Sequence, residues 1–83
     1  MNKEESPLFT AKQGQYLAFI YYYTKVNGIA PAESDFERYF GTASSSVHSM
    51  ISVLKKKKFI TSVTGKSRSI ELLIEKDQLP EFK

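Results

Sequence analysis

One stretch, Thr42 to Lys58, constrains the fold more than any other. Val47, Met50, Ile51 and Leu54 fall at i, i+3, i+4 and i+7, the spacing of a single apolar stripe on an α-helix. The opposite side of the same helix carries Ser45, Ser46, His48, Ser49 and Ser52. These side chains are short and polar, so that side is predicted to face away from the core. Lys55, Lys56, Lys57 and Lys58 follow, where cations suit the negative end of the helix dipole. A thin polar face ending in positive charge can approach a charged, grooved surface closely. The DNA major groove, which admits a helix between flanking phosphates, is such a surface. A solvated serine face is the plainer reading, and the surroundings decide between the two.

The whole chain has 83 residues, the size of one small domain. It has no cysteine, which excludes disulfides and thiolate metal sites, and one histidine is too few for a zinc site without carboxylates. No cofactor or metal is therefore expected. Met1 to Ser6 is polar and acidic, unlike a signal peptide, and the apolar-aromatic run Tyr16 to Tyr23 is too short to cross a bilayer. A soluble cytoplasmic protein is expected. The net charge of +3 says little, but its distribution says more. No Asp or Glu lies between Arg38 and Ile70, whereas Arg38, Lys55, Lys56, Lys57, Lys58, Lys66 and Arg68 all do. Charge segregated in this way points to a polyanionic partner.

Read in order, Met1 to Leu8 forms a loose arm. Thr10-Ala-Lys-Gln13 fits a capping box that opens a first helix over about Ala11 to Val26. Its inner stripe is Gln13, Tyr16, Leu17, Ile20, Tyr23 and Thr24, and Gly14 weakens its first turn. Gly28 serves as its left-handed cap. Ala30-Pro31 is extended. A second helix over about Ala32 to Phe40 starts either at Pro31-Ala32 or at the box Ser34-x-x-Glu37, buries Phe36, Tyr39 and Phe40, and ends at Gly41. Ser44, Ser45 or Ser46 caps the third helix. Two strands, Phe59 to Val63 and Ser69 to Ile74, are joined by Thr64 to Arg68 with Gly65 in the turn. Ile70 and Leu72 share a face. Glu75 to Lys83 is a polar, mobile tail.

Helix, helix, helix, hairpin is the order of a winged helix-turn-helix. The likeness extends to motifs: Thr10-Ala-Lys-Gln13, Asn27-Gly28 before Pro31, Asp35-Phe36-x-x-x-Phe40-Gly41, Ser44-Ser45-Ser46-Val47-His48, Leu54-x-x-Lys57-x-Phe59-Ile60 and Gly65-Lys-Ser-Arg-Ser-Ile70 occur in that order. Over about Leu8 to Leu73 the chain resembles the amino-terminal DNA-binding domain of LexA-type repressors. The resemblance implies an α+β fold of three helices with a carboxy-terminal hairpin wing. It also implies a recognition helix near Ser45 to Lys57 in the major groove, and a wing near Lys66 and Arg68 on the backbone or minor groove. The stretch from Gly41 to Val47 is one residue shorter than the family pattern, which shifts the base-reading register. LexA repressors continue into a self-cleaving, dimerising domain that this sequence does not contain, so self-cleavage is not carried over.

The predicted organisation is one domain over residues 1–83, with a core of about 8–74, an arm at 1–7 and a tail at 75–83. Its expected function is a sequence-specific duplex-DNA-binding transcriptional regulator. Ser44, Ser45, Ser46, His48, Ser49 and Ser52 are the candidate base contacts, because hydroxyls and imidazole can donate or accept. Lys55, Lys56, Lys66, Ser67 and Arg68 are the candidate backbone contacts, with the hairpin tip expected to present Lys66 and Arg68 outward. A catalytic His48 with Ser44 or Ser52 is expected to have no carboxylate nearby to orient the ring, and no pocket is implied, so no enzyme is expected. Two other classes remain: a winged helix used for protein contact, and an RNA-binding module, disfavoured because the aromatic residues avoid the basic face. Finally, Phe19, Tyr22 and Val26 line the far side of the first helix. They either face water or are covered by the tail through Leu79 and Phe82, or they form a self-association patch for a homodimer.

Overall fold

The computed structural model describes residues 9–83, so the expected arm lies outside the described residues. Three helices, α1 (Ala11–Asn27), α2 (Glu33–Phe40) and α3 (Ser44–Lys56), precede two short strands, β1 (Ile60–Thr61) and β2 (Glu71–Leu72), and a single 3-10 turn (Lys76–Gln78). This is a small α+β domain. The strands pair antiparallel, Ile60 with Leu72 and Thr61 with Glu71.

Local chemistry sets most helix ends. The Gln13 amide N–H donates to Thr10 Oγ1 at 3.1 Å, and the Thr10 amide donates to Gln13 Oε1 at 3.0 Å, so the expected box forms. Gly28 closes α1 at φ 77°, donating to the Thr24 carbonyl. α2 begins close to the Pro31-Ala32 alternative. Its reciprocal bond comes from Asp35, whose Oδ2 accepts from the Ala32 amide at 2.8 Å. Gly41 ends α2 at φ 62°, and the Thr42 amide reaches back to the Glu37 carbonyl. That turn brings the chain into α3 one residue early. Ala43, not a serine, occupies the capping position, and Ser44, Ser45 and Ser46 lie inside the first turn. At the other end Lys55 and Lys56 are helical and Lys57 is the cap, still right-handed. Lys58 takes φ 66°, a left-handed position usually given to glycine.

The hairpin ladder is shorter than expected because side chains displace it. Ser69 Oγ accepts from the Val63 amide at 2.9 Å and donates to the Lys66 carbonyl at 2.8 Å. Arg68 sits at φ 55°, out of strand geometry. Ile70 is buried and Leu72 half-buried, as the shared face requires.

The core joins Tyr16, Leu17 and Ile20 of α1 to Phe36 of α2, Val47, Ile51 and Leu54 of α3, and Ile60 and Ile70 of the hairpin. Tyr16 stacks on Phe36 at 5.2 Å and on Phe40 at 4.6 Å between ring centres. Burial pushes the Tyr16 hydroxyl above its ordinary pKa. The expected α1 stripe is right at its centre but not at Thr24, which is exposed, and Tyr39 of α2 is also exposed.

Of the alternatives left open for the line of Phe19, cover by the tail is the one found for Phe19 itself, which is only 6% exposed. α1 is covered on two sides rather than one. Phe36, Tyr39 and Phe40 of α2 pack against Phe19, and Phe82 of the tail approaches it. Residues 75–83 are therefore not a polar end outside the core: Leu79 and Phe82 pack onto it. Tyr22 stacks on Phe82 and stays 41% exposed, whereas Val26 is 80% exposed. A continuous open patch of Phe19, Tyr22 and Val26 does not form.

Candidate nucleic-acid interface

The outward face of α3 follows from its inner stripe. With Val47, Ile51 and Leu54 buried, residues half a turn away must face solvent. Ser44, Ser45, Ser46, His48, Ser49 and Ser52 are all exposed. They do not, however, gather in one groove. His48, Ser52 and Lys55 line a cleft of about 450 Å³ between α3 and the hairpin, together with Glu33, Lys66, Ser67 and Arg68. Ser45, Ser46 and Ser49 line a second cleft, of about 460 Å³, against the start of α1, with Lys12 and Val53. Ser44 borders neither. The ridge of α3 thus stands between two hollows.

Lys12 and Val53 were missed by the sequence reading. The Thr10–Gln13 box fixes the first turn of α1, and Lys12 lies within that turn, so its outward placement was readable. Val53 stands seven residues from Ser46, on the same flank of the helix, and its 39% exposure marks it as part of that flank.

The hairpin tip departs from expectation at one residue. Lys66 and Ser67 are exposed, but the Arg68 side chain turns inward. Its Nη1 donates to Tyr23 Oη at 3.1 Å, to the Ala30 carbonyl at 3.2 Å and to Asp35 Oδ2 at 3.1 Å. The left-handed backbone at Arg68 and the carboxylate of Asp35 in the first turn of α2 account for this. Arg38 also pairs with Asp35, at 2.8 Å. Burial of Asp35 opposes its charge. The Ala32 amide, Arg38, Arg68 and Tyr23 outweigh that and hold its carboxyl below the usual carboxylate range. Two of the seven cations in the acid-free window thus share one internal carboxylate, which offsets one of their two charges. Lys55, Lys56, Lys57, Lys58 and Lys66 remain exposed and make no ion pair among the described residues.

The window is free of acid in sequence but not in space. Glu33 Oε1 lies 3.6 Å from His48 Nδ1, too far for a good hydrogen bond, with the His48 side chain 74% exposed. The expectation that no carboxylate stands near this histidine fails, because the start of α2 folds against α3. Among the described residues no group of three His, Asp or Glu side chains could hold a metal ion, and no helix is long and apolar enough to cross a membrane.

No family model matches the chain, and no curated protein matches it.

Proposed function

We propose that this chain is a sequence-specific duplex-DNA-binding transcriptional regulator of winged helix-turn-helix type, without enzymatic activity. One observation carries the reading. The exposed ridge of α3, which has no acidic residue, presents hydroxyls along its length and lysines at its end. Its 13 residues span about 20 Å at 1.5 Å per residue, a length that suits a major groove. In this reading Ser45, Ser46 and Ser49 approach base edges from the α1 side of the ridge, and His48 and Ser52 do so from its hairpin side. Lys55, Lys56, Lys66 and Ser67 meet phosphates. Lys12 joins them from the far cleft, where the exposed Val53 suits a thymine methyl. Arg68 holds the wing in place instead of touching the backbone.

Neutralising about four or five phosphates gives a log K against log salt slope near −4. Fluorescence anisotropy on duplex DNA over a salt series measures it, and a flat dependence would overturn the reading. Selection of binding sites from random DNA separates the roles. Ser45→Ala and Ser49→Ala should change the preferred site, whereas Lys66→Ala should weaken all sites alike.

A further inference from the structure

The carboxy-terminal segment makes a contact that the DNA reading does not use. Gln15, on the outer side of α1, grips the main chain of that segment twice. Its Nε2 donates to the Glu81 carbonyl at 2.9 Å, and its Oε1 accepts from the Lys83 amide at 2.8 Å. Such a grip addresses backbone, as a neighbouring strand would. Gly14 beside it supplies a bed. A Cβ there would stand 2.9 Å from Pro80 Cγ and 2.9 Å from Phe9 Cε1, so only glycine lets the segment lie this close. Further along, the Phe82 ring stacks on Tyr22 at 5.6 Å and on Tyr39 at 5.4 Å, with Phe19 at 6.3 Å beneath. A main-chain clamp, a bed for proline and an aromatic socket together form a peptide-binding groove, occupied by the chain's own Leu79–Lys83.

Among the described residues, the turn that precedes the occupant adds no further hydrogen-bonded tie to the rest of the domain. Its hydrogen bonds are local: the Gln78 amide to the Glu75 carbonyl and the Leu79 amide to the Lys76 carbonyl. The segment can therefore leave as a unit. Its departure would uncover Phe19, which is costly, so the groove must be refilled. The peptide that fits it best is the same segment of another copy. We propose that two copies of this chain exchange Leu79–Lys83, each lodging its Phe82 in the other's socket. Exchange alone gains nothing, because the contacts are the same within one chain or between two. The gain comes from the shoulder of the socket. Tyr22, Tyr39 and Val26 stay 41%, 48% and 80% exposed with the segment in place, and a second copy drawn across the groove covers them. Tyr22 and Val26 thus return to a dimer contact, with Phe19 beneath a partner's ring rather than at the surface.

A short tether gives the segment an effective concentration in the millimolar range within its own chain. The dimer is therefore expected to emerge as free protein rises from about 0.1 to 1 mM, with no DNA present. Sedimentation equilibrium over that range measures the mass. Isotope-filtered NMR on a mixture of labelled and unlabelled protein shows whether Phe82 ring protons contact Tyr22 and Tyr39 of a different chain. The expected result is a mass approaching that of two chains, with interchain contacts at Phe82. Phe82→Ala and Gly14→Ala weaken the same contacts in the closed monomer and in the exchanged dimer, so they should leave the association constant nearly unchanged. Val26→Glu, at an open position that folding does not need, should reduce it while leaving Phe82 docked within its own chain. A monomer at 1 mM overturns the proposal. So does a dimer whose Phe82 contacts are all within one chain, or one indifferent to Val26→Glu.

Discussion

The two flanks of this domain are made of opposite materials. On the flank of α1, α2 and the tail, rings meet rings: Phe19, Tyr22, Phe36, Tyr39, Phe40 and Phe82 form one continuous aromatic assembly. On the flank of α3 and the hairpin, the exposed surface is rich in serine and lysine, and the ladder has two residue pairs. The first flank is held by non-directional burial, which scales with area. The second is anchored to the same core through Val47, Ile51, Leu54, Ile60 and Ile70, but its hairpin tip is fixed by directional bonds, above all those of Arg68 to Asp35. The aromatic packing and the proposed recognition surface thus lie on different sides, and substitutions should separate them.

The largest effect is expected on the aromatic flank. Phe19→Ala removes a ring buried between α2 and the tail and should cost about 3–4 kcal/mol in chemical denaturation. Lys55→Ala and Lys56→Ala on the other flank should stay within about 0.5 kcal/mol of the parent. If the lysine variants lose as much stability as Phe19→Ala, the division fails.

A smaller effect is expected at Asp35. Asp35→Asn keeps an acceptor for the Ala32 amide but leaves Arg38 and Arg68 without their anion, and should cost about 1–2 kcal/mol. The pH dependence sharpens the test. Because folding lowers the Asp35 pKa, its contribution is fully present above the unfolded value of about 3.9 and is lost as pH falls through the lower folded value. Thermal melts between about pH 5 and pH 2 should show the parent losing this increment and Asp35→Asn lacking it. Two parallel curves would remove Asp35 from the account.

The smallest effect carries the opposite sign. Lys58→Gly relieves a left-handed residue at the end of α3 and should stabilise by about 0.5–1 kcal/mol. A melting temperature that does not rise would mean that Lys58 gains something from its present position.

The same division explains what the sequence disclosed. The Thr10–Gln13 box, the caps at Gly28 and Gly41 and the buried stripe of α3 depend on residues within a turn or two of one another, and all were readable. The candidate contacts on α3 were readable as exposed positions, because exposure there follows from the same period. Their separation into two clefts was not, since it depends on where α1 and the hairpin come to rest. For Phe19 the sequence left cover by the tail as one alternative among several, because a helical wheel supposes one buried side, whereas α1 has two. Arg68 misled because its partner Asp35 is 33 residues earlier, and no local pattern links them.

That separation in the chain also sets an order of events. A ladder of two residue pairs cannot hold itself together in water, and the loop closed by Arg68 and Asp35 has an entropy cost that only the assembled helices can offset. The hairpin must therefore join after α1 and α2 have met, late on the folding route. Kinetic analysis of Arg68→Ala should accordingly show faster unfolding with an almost unchanged folding rate, a φ-value near zero. The hairpin, with Lys66 at its turn, would then also be the first part of the domain to loosen and the last to be rebuilt.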